Sequence, residues 1–322
     1  MIKILANDGI EADGKMLLEE AEYVVDTNKV AQEDLMKVLP QYDVIIVRSA
    51  TKVRKDLIDA CPNLKVIARG GVGMDNIDVD YARSKGIAVI NTPAASTRSV
   101  AELAMSHIYA LSRNIHKSKN EMGAENADFK ALKTTYSKGT ELAGKTLGVI
   151  GFGRIGQEVA KLAMGTNMRI LPYDPFVEET VLNFNIFGND KLTLALKINT
   201  VDKDYLIRNS DFITLHLPFS DGKPIIGSEE IAMMKDGVIL INTARGGAIN
   251  EDALMEGLNS GKIYGAGLDV FENEPNPRKD ILEHPRVSLT PHIGGSTMEA
   301  QAKIGIELAD SIITYLESRT NI

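Results

Sequence analysis

Short apolar runs bounded by turn-forming residues recur at Ile2 to Ala6, Val44 to Val47, Val66 to Ala68 and Ala88 to Ile90. Runs without polar alternation read as strands buried on both faces. Amphipathic stretches lie between them, at Ala31 to Leu39 and Asp78 to Lys85. The pattern therefore alternates strand and helix, as a parallel sheet with crossover helices requires. From Thr97 to Ser112 the apolar positions fall at helical spacing, and a polar, lysine-bearing stretch from His116 to Glu141 reads as an exposed segment. A second alternating series begins at Thr146 and runs through strands at Phe212 to Leu215, Val238 to Asn242, Gly265 to Asp269 and Val287 to Leu289. The chain closes on a helix with Ala300, Ile304, Leu308, Ile312 and Leu316 on one face. Phe176 to Thr200 resists assignment.

Length turns this pattern into an expectation of two α/β domains, because 322 residues exceed one ordinary core. A formal charge of −8 without a long basic run argues against nucleic acid and anionic membrane as partners. An anionic substrate would need local cations. The lone Cys61 excludes an intramolecular disulfide, fits a reducing compartment and, beside Pro62, reads as structural. The start Met1-Ile2-Lys3-Ile4-Leu5 reads as a first strand, and no run approaches ~20 apolar residues, so a cytoplasmic protein is expected. His216, His284 and His292 are dispersed and no cluster has ligand spacing, so no metal site is expected.

The strongest local motif is Thr146-Leu-Gly-Val-Ile-Gly151-Phe-Gly153-Arg154-Ile155-Gly156, an apolar strand running through GxGxxG into the helical stretch Gln157 to Met164. Gly151 permits the tight turn, Gly153 lets the backbone approach a pyrophosphate, and Gly156 lets helix and strand pack closely. The helix N-terminus then faces the anion. The next strand ends at Tyr173-Asp174-Pro175, where a carboxylate suits a ribose 2′-hydroxyl and repels a 2′-phosphate. NAD is therefore the expected cofactor.

Three later strand ends carry candidate reacting groups. Asn242-Thr-Ala-Arg245-Gly-Gly presents a planar guanidinium suited to a carboxylate or a carbonyl gaining negative charge. Gly265-Ala-Gly-Leu-Asp269-Val-Phe-Glu-Asn-Glu274-Pro275 supplies acids, and Leu289-Thr-Pro-His292-Ile-Gly294-Gly295 supplies an imidazole. Each alone has a bland reading: surface arginine, capping acid, core histidine. Their succession at the ends of one nucleotide-binding sheet points to a site.

In these motifs the chain resembles the D-isomer-specific 2-hydroxyacid dehydrogenases. The resemblance spans GVGMDNID from Gly71, NTPAASTRSVAE from Asn91, GKTLGVIGFGRIG from Gly144, NTARGG from Asn242, GAGLDVFENEP from Gly265 and PHIGGST from Pro291. It implies two Rossmann-like or flavodoxin-like parallel-sheet domains with a cleft between them: a discontinuous substrate domain of residues 1–97 and 291–322, and an NAD-binding domain of 98–290. It also implies a homodimer made through the NAD-binding domain. By the family's roles, His292 exchanges the C2 hydroxyl proton, Glu274 orients it and stabilises the imidazolium, and Arg245 grips the substrate carboxylate and C2 oxygen. Gly71, Val72 and Gly73 form an anion nest, with Asn76 and Ser96 nearby. Asp269 corresponds to the residue that holds the nicotinamide carboxamide, while His216-Leu217-Pro218, Thr243-Ala244 and Gly294-Gly295 correspond to cofactor-wall segments.

Within the family, Arg48-Ser49-Ala-Thr-Lys52-Val and Arg69 most resemble the 3-phosphoglycerate dehydrogenases, and Arg48, Lys52 and Arg69 suit a phosphate dianion. D-3-phosphoglycerate is accordingly the expected substrate. Hydroxypyruvate or glyoxylate reductases and NAD-sensing corepressors share the machinery and remain rivals; formate dehydrogenases carry an amide where this chain has Glu274. Three features depart from the pattern. The stretch between Pro175 and Asp211 is longer than in relatives by roughly ten residues, Ser96 stands where Asn is frequent, and no regulatory domain is expected after the last helix.

Overall fold

The computed structural model describes residues 1–185, 193–219 and 222–320, and the chain divides into two compact units. One comprises Met1–Thr97 with Gly295–Ile322, the other Arg98–Gly294. The second crossing between units follows Gly294 rather than residue 290. The cause is local: the amides of Ile293 and Gly294 donate to the carboxylate of Asp269 and so tie the His292 loop to the larger unit.

In the first unit, β1 (Lys3–Ala6), β2 (Val24–Asp26), β3 (Val44–Val47), β4 (Val66–Arg69) and β5 (Ala88–Asn91) form a parallel sheet ordered β2-β1-β3-β4-β5. Successive side chains point to opposite faces. Leu5, Ile45 and Ile67 therefore pack with Leu35, Leu39 and Leu57 on one side, while Ile4, Val44, Ile46 and Val66 meet Leu308, Ile312 and Leu316 on the other. The Met298–Thr320 helix buries the apolar stripe expected of it, and it approaches the Ala12–Glu20 helix so closely that a Cβ on Gly14 would collide with the Gly305 backbone. β2 escaped the pattern because its three residues are only partly buried at the sheet edge.

In the second unit, β6 (Thr146–Ile150), β7 (Arg169–Tyr173), β10 (Phe212–Leu215), β11 (Val238–Asn242), β12 (Ile263–Leu268) and β13 (Val287–Leu289) form a parallel sheet ordered β7-β6-β10-β11-β12-β13. The chain enters at β6, steps outward to β7 and then returns to the other side, so a switch point lies between β6 and β10. The Thr97–Ser112 helix is the one its spacing predicts, and Gly265 and Gly267 leave room for it: a Cβ on Gly267 would lie 2.6 Å from that of His107.

The unassigned stretch forms an antiparallel hairpin, β8 (Glu179–Asn185) paired with β9 (Thr193–Asn199). Leu182 is buried and Phe184 and Ile198 pack against the core, whereas Leu194 and Leu196 on the same face are exposed. The apolar face is thus only half covered, which blurs a two-residue period; residues 186–192 of this stretch lie outside the described residues. The polar stretch read as exposed carries two short helices, Ile115–Met122 and Phe129–Thr135. Neither buries a residue, so neither leaves a helical period, but Asp128 caps the second by accepting from the amides of Lys130 and Ala131.

Candidate active site

At the switch point the backbone of the glycine motif touches the neighbouring strand end. Gly151 adopts φ +95°, and a Cβ there would lie 2.6 Å from the carbonyl carbon of His216. A Cβ on Gly156 would collide with the carbonyl of Gly151, so the Arg154–Met164 helix sits directly on the turn. Around the position of a Cβ on Gly153 there is no atom within 4 Å, and Gly153 caps the helix that begins at Arg154 and Ile155. Asp174 follows β7, with Oδ2 accepting from the Phe152 amide at 2.8 Å, which holds its carboxylate against the turn. An open depression beside it is walled by Tyr173, Thr200, Asp202 and Tyr205, so the two ends of the hairpin frame this edge and bring a second carboxylate to it. Pro175 lines the same depression.

Two buried polar atoms of the expected cofactor wall, His216 Nδ1 and Thr243 Oγ1, have no hydrogen-bond partner among the described residues. Desolvation holds the His216 imidazole down at about 3, so it stays neutral, and Thr214 Oγ1 lies 2.9 Å from its Nε2. Leu217 and Pro218 continue the chain from it, and Ala244 follows Thr243 at the end of β11. Glycines that open a helix N-terminus, an acid at the next strand end and unpartnered polar atoms at the switch point fit a dinucleotide of the NAD type.

The ends of β11, β12 and β13 lie side by side, with Asn242 opposite Leu268 and Leu268 opposite Leu289. Past β11, Asn242 braces the turn through its side chain, donating to the Arg245 carbonyl at 2.9 Å and accepting from the Ala244 amide at 3.1 Å. Arg245 Nη1 donates to the Ala244 carbonyl at 2.7 Å. A Cβ on Gly246 would collide with the Phe271 carbonyl, so this loop is seated on the one that follows β12. There Glu274 Oε1 accepts from the Phe271 amide at 3.0 Å, and Oε2 accepts from His292 Nδ1 at 2.7 Å. A carboxylate only accepts, so Nδ1 carries the proton and Nε2 is the atom left to exchange one. His292 holds φ +53°, a left-handed conformation unusual for a residue with a side chain, and its side chain is half exposed. Asp269 is 1% exposed, with both oxygens turned to the backbone and to Thr290 rather than to solvent.

In the first unit, Arg48 follows β3 and Arg69 ends β4, on neighbouring strands whose register pairs Val47 with Arg69. Arg48 Nη2 donates to Gln301 Oε1, and Gln301 Nε2 donates to the Gly295 carbonyl at 2.7 Å. Gln301 went unnoticed in the sequence because it lies beside the apolar stripe of a helix. Gly71, at φ +134°, admits the Arg69 guanidinium where a Cβ would stand, and its amide donates to Thr92 Oγ1 at 2.7 Å. Val72 and Gly73 follow, partly exposed, as an anion nest would need. Asn76 spends its amide on the carbonyls of Arg48 and Thr51, at 2.7 and 2.6 Å, and so shapes the Arg48–Thr51 loop. Ser49 and Lys52 are exposed, and Ser96 is buried beside Gly295. Cys61 is buried and its thiol is pushed up to about 11, which removes it as a nucleophile.

Residues 105–294 match the D-isomer specific 2-hydroxyacid dehydrogenase, NAD binding domain family. A hydroxypyruvate reductase of Thermotoga maritima is 47% identical over 319 residues, covering 98% of both chains. A D-3-phosphoglycerate dehydrogenase of Methanocaldococcus jannaschii is 44% identical over 97% of this chain, which spans 57% of that relative's length. Among solved structures, a glyoxylate reductase from Paecilomyes thermophila superposes with a TM-score of 0.83 at 30% identity, covering 98% of this chain and 95% of that one. A formate dehydrogenase from Staphylococcus aureus in complex with NAD superposes with a TM-score of 0.79 at 30% identity, covering 98% and 96%. On sequence, fold and the dinucleotide turn together, the chain belongs to the D-isomer specific 2-hydroxyacid dehydrogenases, NAD-dependent oxidoreductases.

Proposed function

We propose that the protein interconverts a D-2-hydroxy acid and its 2-keto acid, with His292 as the proton-transfer group, and that its substrate pair is D-3-phosphoglycerate and 3-phosphohydroxypyruvate. The observation that carries the chemistry is the 2.7 Å hydrogen bond from His292 Nδ1 to Glu274 Oε2. In oxidation the C2 hydroxyl gives its proton to His292 Nε2, and C2–H leaves as a hydride. When bound, the nicotinamide accepts that hydride. Glu274 stabilises the imidazolium as it forms and fixes the ring. Arg245 holds the carboxylate and draws charge onto the C2 oxygen as it becomes a carbonyl; Gly71, Val72 and Gly73 present amides to the carboxylate. Asp174 and Asp202 at the adenosine edge oppose a 2′-phosphate and favour NAD.

The phosphate assignment is supported by Arg48 and Arg69 at adjacent strand ends, with Lys52 exposed on the same loop region. A second reading, reduction of hydroxypyruvate, is favoured by the 47% identity to the Thermotoga maritima hydroxypyruvate reductase, against 44% to the Methanocaldococcus jannaschii dehydrogenase. Rates of NADH oxidation with phosphohydroxypyruvate, hydroxypyruvate and glyoxylate separate the two. A higher kcat/KM for phosphohydroxypyruvate, falling in Arg48→Ala and Arg69→Ala, supports the first; a higher value for hydroxypyruvate or glyoxylate selects the second. We also infer a cytoplasmic homodimer joined through the Arg98–Gly294 unit, which exposes Ile115, Met122 and Phe129 on short helices. Sedimentation at the monomer mass would reject the dimer.

A further inference from the structure

The loop bearing His292 is fastened by a chain of buried polar groups that begins on a helix remote in sequence. Asp269 Oδ1 accepts from Thr290 Oγ1 at 2.6 Å and from the Ile293 amide at 2.8 Å, and Oδ2 accepts from the Gly294 amide at 2.8 Å. These donors bracket His292, whose left-handed backbone needs such restraint. The Thr290 hydroxyl proton is thereby committed to Asp269, so Thr290 Oγ1 acts as acceptor toward His107 Nε2, 3.1 Å away. His107 Nδ1 then carries no proton and accepts from Ser288 Oγ at 2.9 Å.

One neutral tautomer satisfies every group in this chain. His107 is 3% exposed, and burial draws its imidazole down to about 4 although the charge of Asp269 pulls the other way. Gly267 leaves the space it occupies against β12. A histidine placed between Ala104, Ile108 and Leu111 on the buried face of a helix is a poor choice for packing alone.

We propose that His107 is a positioning residue for proton transfer: its Nε2–H fixes the Thr290 hydroxyl, which completes the shell of donors by which Asp269 holds His292 in register with Glu274. This rests on His292 exchanging the substrate proton, as proposed above. His107→Met removes both ring nitrogens, and His107→Gln keeps a donor where Nε2 stood. Thr290→Val and Thr290→Ser make the same contrast at the next link.

With NADH and the preferred keto acid, His107→Met and Thr290→Val are each expected to lower kcat by about tenfold or more while NADH affinity stays within about twofold. His107→Gln and Thr290→Ser should recover most of that loss, and the double variant His107→Met/Thr290→Val should be no slower than the worse single one. If His107→Met fails to fold, the Thr290 pair decides alone. Turnover within about twofold of wild type in both His107→Met and Thr290→Val, or no recovery by the conservative variants, overturns the proposal. His292→Asn, measured alongside, keeps the two readings apart. An active His292→Asn removes the premise, whereas an inactive one beside an unimpaired His107→Met removes the relay only.

Discussion

The two sheets share a strand order over their first five strands and differ in what occupies the switch point. In the smaller unit β1 is followed by Asn7, Asp8 and Gly9; in the larger, β6 is followed by Gly151, Phe152 and Gly153. The smaller unit fills its switch point with its own side chains. Asp8 accepts from the amides of Arg48 and Thr51 at 2.8 and 3.0 Å and from Thr51 Oγ1 at 2.8 Å, while Asn7 donates to Thr51 Oγ1 and the Val30 carbonyl. The larger unit leaves the equivalent place to backbone and open space. One topology thus yields a braced loop where side chains satisfy the turn, and a dinucleotide seat where glycines leave the turn open.

Closing the open turn is expected to have the largest effect. A Cβ at Gly153 meets no neighbour within 4 Å, so Gly153→Ala should leave the melting temperature nearly unchanged while weakening NADH binding by about tenfold or more, read by fluorescence titration. Gly156→Ala, whose Cβ collides with the Gly151 carbonyl, should instead lower stability. Binding lost with the fold intact in the first variant, and stability lost in the second, would separate the functions of two glycines in one motif.

Bracing in the smaller unit is expected to matter next. Asp8→Ala strands the amides of Arg48 and Thr51 and should cost about 3 kcal/mol in urea unfolding, with a higher KM for keto acid and unchanged NADH affinity. An unchanged KM would show that the loop needs no such brace.

All five histidines lie in the larger unit. Burial depresses His107 to about 4 and His216 to about 3, and it lowers His284 with help from Arg286. The unfolded chain binds protons at these sites near pH 6.5 and the folded chain does not, so stability is full above pH 6.5 and falls as pH drops toward 4, by up to about 1.4 kcal/mol per unit for each of the buried His107 and His216. Hydrogen exchange between pH 7 and 5 should therefore loosen the larger unit first, and His107→Gln should flatten that slope. Equal loosening of both units would contradict the assignment. The smallest effect is expected at the cofactor edge, where Asp174→Ala should shift the NADPH to NADH preference by about tenfold, read from the kcat/KM ratio.

Much of this was legible in the sequence for a physical reason. Strands buried on both faces, such as Val44–Val47 and Phe212–Leu215, and helices with one continuous apolar stripe, such as Thr97–Ser112 and the last helix, write their period into the chain. The hairpin at Glu179–Asn185 and Thr193–Asn199 is half covered and the helices at Ile115–Met122 and Phe129–Thr135 are uncovered, so no burial pattern recorded them. Glycine motifs and the Glu274–His292 pair were readable because few residue types serve those positions. Bracing residues such as Asp8, Asn76 and Gln301 were not, since any of several polar residues can satisfy a loop and only the fold says which one does. His107 left a signal of another kind, a large polar residue on an apolar helical face.

We propose that His292, held by Glu274, passes the proton that accompanies hydride transfer. Single-turnover oxidation of bound NADH by the preferred keto acid tests it in His292→Asn beside wild type. A fall in rate by about 100-fold to 10,000-fold with NADH affinity unchanged is the predicted result, and turnover within a few-fold of wild type would contradict it.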